Sequence, residues 1–317
     1  MLVTAFMLCL VLVPCILSAA EAGTDSVDDP GVRQESLDQS ATRLLAVYDK
    51  SFRLQDGVKE RLPFDVSASD AGDTIRSHTY FFLADINFDE FVDVLGKSSG
   101  WCDSLLLHLN VKGCVYFNEE NPRLVLYLGR KYYQTPSESV GITFRFHHQR
   151  QAEVMRTTLK ADKGPYGTSD YNFVVNAVNV DNGVFVELRF ENSKGYAGQL
   201  VDLYLNTLGR SKIGFTVVGE SLFGNPMYVH GTIGAAERNV VRYMFALRVS
   251  LEHRNEPFEK RAEAWFDATE RYADQLHEYS RERYLDIKAK EHANQVKYQQ
   301  AAERGESVEI PVKRRNR

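Results

Sequence analysis

The side chains able to do chemistry stand apart from one another in this sequence. His108 opens a β-rich run two residues before Asn110, and His78 precedes another such run, so each is placed to reach the mouth of a cavity. A general acid, base or nucleophile works only where partner groups converge on it. No fixed spacing supplies such partners here, and a hydrogen-bonded structural histidine is the competing role for both. His147 and His148 are adjacent and on a strand would face opposite sides. There is no Gly-x-Ser-x-Gly elbow, no Cys-x-x-Cys, no His pair at helical zinc spacing, no Walker loop and no G-x-G-x-x-G following a strand. The expectation is no catalytic set, no metal and no cofactor.

Charge and sulfur are more informative. Arg238 and Arg242 stand one helical turn apart, just after Glu237, at the start of an otherwise apolar helix. Like charges at that spacing repel, so carboxylates elsewhere must neutralise them. Two roles are open for Arg242: holding the acidic headgroup of a lipid, or an ion pair tying its helix to the Gly-rich stretch before it. Cys102 and Cys114 lie twelve positions apart. In an oxidising compartment a disulfide between them closes a small loop and contributes roughly 2–3 kcal/mol; two buried thiols are the alternative.

The compartment is read from the N-terminus. The first twenty residues carry no charged side chain, and Ala20-Glu21-Ala22 follows as a small-residue cleavage site, so residues 1–22 read as a signal peptide of a periplasmic or secreted protein. No Lys or Arg stands near Met1, and the apolar run 2–20 approaches the roughly 20 residues that cross a bilayer, so a membrane anchor is the alternative. Residues 23–45 read as an acidic, flexible leader whose end overlaps a short helix expected over Leu37 to Ser51. With 317 residues, 44% of them hydrophobic and 26% charged, the chain has an ordinary globular composition. Its net charge of -5 lacks the clustered basic excess of nucleic-acid binders.

The elements that would position these groups follow from periodicity. Phe64 to Ser67 and Arg76 to Ala84 read as strands, and Asn87 caps a helix carrying Phe88, Phe91, Val92 and Leu95 up to Gly96, with a second turn over Trp101 to Leu107. Six strands follow over 109–190, separated by turn sequences of which Asp181-Asn182-Gly183 is the strongest hairpin signal. Val140, Ile142, Phe144 and Phe146 alternate with Thr143 and Arg145, and Val184, Val186, Leu188 and Phe190 with Glu187 and Arg189, which predicts a sheet covered on one face. Helix returns over 196–208. Six glycines between Gly209 and Gly234 then predict loops or close backbone approach. Val240, Met244, Leu247 and Leu251 form the stripe of a closing helix. Residues 256–317 read as an appended, charged amphipathic arm with a basic tail.

This order resembles the helix-grip fold of the START and polyketide-cyclase-like (SRPBCC) superfamily over roughly residues 64–252. Trp101-Cys102, His108-Leu109-Asn110-Val111-Lys112, Gly164-Pro165-Tyr166-Gly167-Thr168 and Glu237-Arg238-Asn239 are similar to recurring signatures of exported bacterial proteins with this layout. The resemblance implies an α+β domain over 46–255, a curved antiparallel sheet wrapped around a long helix and able to enclose an apolar cavity. It carries over no catalytic residue.

Three functions are consistent with this reading. The first is a non-enzymatic binder of a lipid or other hydrophobic small molecule, with Phe144, Met155, Leu159, Phe173, Val175, Leu188 and Arg242 lining the site; the same six apolar residues are equally ordinary core. The second is a cyclase- or hydrolase-like enzyme using His108 or a carboxylate in the same cavity. The third is a solid-core module that contacts a protein or membrane surface through residues 257–304. Export itself has a direct check: the mature chain from an exporting host is expected to begin near Glu21 or Gly23 by intact mass, whereas a full-length, membrane-held chain establishes the anchor.

Overall fold

A computed structural model describes residues 35–52, 63–118, 120–195 and 212–308. The expected signal segment, residues 23–34 of the leader and the helix expected over 196–208 lie outside the described residues. Helix α1, Leu37–Ser51, starts from a reciprocal cap. The Ser36 hydroxyl accepts from the Gln39 N–H at 3.2 Å, and the Gln39 side chain accepts from the Ser36 N–H at 2.9 Å. Residues 37–45 are therefore helix rather than leader.

Eight strands form one antiparallel sheet: β1 Phe64–Ala71, β2 Thr74–Ala84, β3 Val111–Phe117, β4 Arg123–Leu128, β5 Val140–Gln151, β6 Val154–Lys163, β7 Ser169–Val180 and β8 Gly183–Ser193. Their order across the sheet is β1-β2-β8-β7-β6-β5-β4-β3. Between β2 and β3 the chain leaves the sheet as α2, Phe88–Leu95, and α3, Ser98–Leu105. The β7–β8 turn is tight for a local reason. Asn182 adopts a φ of +65°, and the Leu83 carbonyl oxygen lies 2.0 Å from where a Cβ on Gly183 would stand. Only glycine permits that approach.

Helix α4, Gly231–Glu252, lies over the sheet and packs on β1, β2, β8 and α3. Its Val240, Met244 and Leu247 join Phe81, Leu83, Met155, Phe173, Val175, Val186 and Leu188 in one continuous core. Burying this much apolar surface, at roughly 25 cal/mol per Å², is the main force holding helix to sheet. The architecture is α+β helix-grip: a curved antiparallel sheet closed by a long helix. The Gly-rich stretch holds a separate hairpin of β9, Val217–Glu220, and β10, Pro226–Tyr228. Its glycines include a close approach, since a Cβ on Gly214 would stand 2.5 Å from the Glu237 carboxylate.

Two sequence expectations change. The outer face of the sheet is not all wet: α1 covers β6, β7 and β8, burying Leu44, Tyr48, Val178 and Phe185. Glu187 is buried there because Arg43 reaches it from α1 in a bidentate pair at 2.9 and 2.8 Å, and Asn176 donates to it at 2.8 Å. Nor does the segment after residue 256 stand off as an arm. Helices α5, Phe258–Glu270, α6, Ala273–Leu276, and α7, Arg281–Glu303, pack into the domain. Helix α7 lies along β3, with Tyr284, Ile287, Lys288, Glu291 and Gln295 buried. Three of these five, Lys288, Glu291 and Gln295, are polar, so the pattern in the sequence imitates a solvated helix.

Cys102 on α3 and Cys114 on β3 form a disulfide with a Cα–Cα distance of 5.0 Å. Gln295 spans both ends of it, accepting from the Cys114 N–H at 2.8 Å and donating to the Cys102 carbonyl at 3.5 Å. Replacing both cysteines by serine is expected to lower stability by about 2–3 kcal/mol in denaturant melts. A non-reduced peptide map with both thiols free to alkylate would contradict the bridge.

Candidate functional site

The six apolar residues singled out in the sequence do come together. Across neighbouring strands Leu159 pairs with Phe173, Phe173 with Phe190, Val175 with Leu188 and Met155 with Ala177. Phe144 joins them through its ring contact with Phe173 at 6.1 Å. All six are at most 2% exposed and belong to the main core. They touch protein rather than open space. At one end the core becomes aromatic, where Tyr243 of α4 meets Phe173 edge-on at 5.0 Å and stacks on His108 at 4.2 Å.

His108 does not have the surroundings of a catalytic base. Its Nδ1 accepts the Asn110 N–H at 3.1 Å, which places the ring proton on Nε2, and Nε2 has no hydrogen-bond partner among the described residues. Burial, reinforced by Arg242, Lys288, Lys131 and Lys112, pushes its pKa well below the usual histidine value, so it is neutral. It is fully buried beneath Tyr243. His78 lies on the other face of the sheet, near the hydroxyl of Ser67 at 3.3 Å and beside Tyr80. The two histidines do not form a site.

Arg242 joins a charge cluster that the sequence did not show. Arg238 and Arg242 donate to one carboxylate oxygen of Glu278 at 2.5 and 2.9 Å, and Lys131 reaches the same oxygen at 2.5 Å. Lys212 stands 3.4 Å from the other oxygen. Arg238 also donates to the Gln275 carbonyl at 2.5 Å, and Arg242 to the Leu276 carbonyl at 3.1 Å. Both arginines thus tie α4 to the α6–α7 connection. The anchor of the Gly-rich stretch is instead Glu237, which accepts from the backbone of Phe215 and Thr216 at 2.7 and 3.0 Å. Burial alone would raise the Glu278 carboxyl; the Lys131 hydrogen bond and the attraction of Lys131, Arg242 and Arg238 overcome it and hold the pKa at about 2. Burial, with Arg242 nearby, brings Lys131 down to about 8.

A second charged group is wholly interior. Glu291 of α7 accepts from Lys112 of β3 at 2.8 Å and from Lys288 at 2.7 Å. Both ammonium groups also donate to backbone carbonyls, Lys112 to Leu109 and Lys288 to His108 and Val111. Burial pushes Lys288 down to about 8 against the pull of Glu291. All three side chains are fully buried and mutually satisfied, which marks a fixed joint rather than a reacting centre. Among the described residues no group of three or more His, Cys, Asp or Glu side chains is placed to hold a metal ion.

Two open clefts, each of about 490 Å³, lie outside the core. One is polar, between the β7–β8 turn and the start of α2, with Asp85, Asn87, Arg150 and Asn179 in its wall. The other runs at the foot of the β9–β10 hairpin, lined by Phe215, Val217, Tyr228, Tyr272 and Gln275. Its aromatic floor continues inward, because Phe215 and Tyr272 both meet Phe64 edge-on, and Phe64 meets Phe245 of α4.

No protein-family model matches the chain, and no curated protein matches it in sequence. Solved structures similar to it include a STAR-related lipid transfer protein from Xanthomonas axonopodis, 12% identical over 62% of this chain and 97% of that one, with a TM-score of 0.36. Ginseng major latex-like protein 151 from Panax ginseng is 11% identical over 41% and 89% of the two chains, at 0.30. Norcoclaurine synthase from Thalictrum flavum is 12% identical over 45% and 80%, also at 0.30. The helix-grip assignment rests on the sheet order and the packing of α4 described above.

The Glu278 cluster makes a signed prediction. A carboxyl whose folded pKa is depressed contributes stability above its unfolded value, 4.5, and loses it as pH falls towards about 2. Glu278→Gln is expected to cost about 3 kcal/mol at neutral pH, since it leaves Arg238, Arg242, Lys131 and Lys212 without their shared partner. Its acid unfolding should also be flatter than the parent's between about pH 4.5 and 2. A variant with the parent's melting temperature and acid profile would remove Glu278 from this role.

Proposed function

We propose that this is an exported, non-enzymatic binding protein for a lipid or another hydrophobic small molecule, taken up between the concave sheet and α4. The observation that carries this reading is the mainly apolar and aromatic face from Phe144 through Met155, Leu159, Phe173, Val175 and Leu188 to Val240, Met244 and Leu247 of α4, in which the buried hydroxyls of Thr79 and Thr157 are polar members. Among the described residues no acid, base and nucleophile converge on it; His148 meets its Thr157 hydroxyl at 3.0 Å. His108, the strongest enzymatic candidate, is neutral and buried with its Nε2 unpartnered among the described residues.

In the present conformation this lining is closed, so ligand uptake requires α4 and the sheet to part and the side chains to repack. Forcing extra methylenes into a packed core costs about 1–3 kcal/mol. Each ligand methylene removed from water returns about 0.8 kcal/mol, and this gain has to offset the cost of parting the core along the whole length of the guest. Met155 and Met244, unbranched and adaptable, are the side chains suited to yield.

The full burial of the same residues favours a second reading, a solid-core module that binds through its surface. One experiment separates the two. Gently purified protein is extracted with organic solvent and analysed for stoichiometric lipid, and the melting of the parent is compared with that of Val175→Trp. The binder predicts stoichiometric lipid in the parent, lost in the variant; because Val175 is fully buried in the closed core, the bulkier side chain lowers melting by a modest amount. No extractable ligand, with a variant that melts much lower, supports the solid core.

A further inference from the structure

The β9–β10 hairpin carries apolar side chains that no other described residue covers. Leu222 and Phe223, consecutive at its tip, are 102% and 91% exposed, and Val217, Val218 and Met227 along its strands are exposed as well. Successive strand residues point to opposite faces, so Val217 and Val218 leave both faces of the ribbon apolar. A flat protein partner covers one face. A medium that surrounds the tip covers both.

Three backbone N–H groups of the tip are satisfied within the turn. Ser221 N–H donates to the Asn225 carbonyl at 2.8 Å, Gly224 N–H to the Ser221 carbonyl at 2.9 Å, and Asn225 N–H to the Ser221 hydroxyl at 3.1 Å. Gly224 closes the turn at a φ of +76°. Unsatisfied backbone groups are what keep most loops out of hydrocarbon, and the turn itself takes up those of Ser221, Gly224 and Asn225. From Val217 to Tyr228 the sole charged residue is Glu220. The base of the hairpin is fixed to α4 by the Glu237 carboxylate, and its two legs are joined by Gly214 N–H donating to the Val229 carbonyl at 2.6 Å. The tip is thus held out from the body on a rigid mount.

We propose that the β9–β10 hairpin is a membrane-docking element that inserts Leu222 and Phe223 into the acyl region of a lipid surface. The absence of cations at the tip means that the contact is driven by apolar burial and needs no anionic lipid. This goes beyond ligand uptake in the grip and uses different residues, so either can fail without the other.

The test uses the full chain carrying Phe223→Trp with phosphatidylcholine vesicles. The native tryptophans, Trp101 and Trp265, are buried and supply a constant background. The expected result is a blue shift of the added emission on vesicle addition, quenching by bromine-labelled acyl chains, and roughly tenfold or greater weakening of the response when Leu222→Ser is added. Melting at the parent temperature shows that both variants fold. An emission that stays water-like on vesicles overturns the proposal. So does a vesicle-independent dimer in light scattering that Leu222→Ser abolishes, since the tip would then be covered by a second copy.

Discussion

Closing an apolar sheet with a long helix forces charge out of water, and the rest of this structure depends on how that charge is neutralised. Arg238 and Arg242 lie on the half of α4 that is drawn inward with its apolar stripe. Desolvation of a guanidinium is tolerable only with a carboxylate and carbonyls in hydrogen-bond range. Glu278 and the carbonyls of Gln275 and Leu276 supply them, so the α6–α7 connection must sit against α4. Helix α7 is then carried onto β3, where Glu291 between Lys112 and Lys288 fixes its register. Such buried ion pairs contribute little net stability compared with apolar groups of the same size. Their effect is to specify one arrangement, because any shift of α7 along β3 strands a charge in the core.

That arrangement decides what the interior can do. The concave face, α4 and the disulfide-linked α3–β3 corner share one core, and α7 braces the corner through Gln295. On the outside of the sheet α1 is fastened by Arg43 to Glu187. Opening a space for a ligand therefore cannot come from the β3 side without breaking three fully buried charges. It is easier at the end where Tyr171 and Phe190 are only partly buried and Tyr243 joins them, since those rings can turn without leaving a charge unpaired.

Local patterns made much of this visible in advance. Period-two alternation locates the strands, and a short helix is expected around Leu37 to Ser51, where α1 runs, although the leader reading overlaps its first half. The closing helix was found from Val240, Met244, Leu247 and Leu251, although it begins at Gly231, where glycines and Thr232 hide the helical signal. What escaped was set by long-range pairing. Lys112 and Glu291 are 179 positions apart, and Glu278 stands 36 positions beyond Arg242, so no local spacing links them. The covered outer face was missed because its buried residues include Glu187, Asn176 and Arg156, which on a strand read as solvent-facing. The packing of α7 was missed for the same reason. The hairpin tip escaped because glycine density signals loops without telling which apolar residues the loops leave uncovered.

The central claim is that the space between β6, β7 and α4 accepts an apolar guest by repacking. An experimental structure of the protein taken from an exporting host, without detergent, tests it most directly. The account predicts continuous density for an elongated apolar molecule against Phe173, Val175 and Leu188, with Met155 and Met244 in altered rotamers and α4 displaced from the sheet. An interior filled by the protein's own side chains, with α4 seated as described and no foreign density, would contradict it.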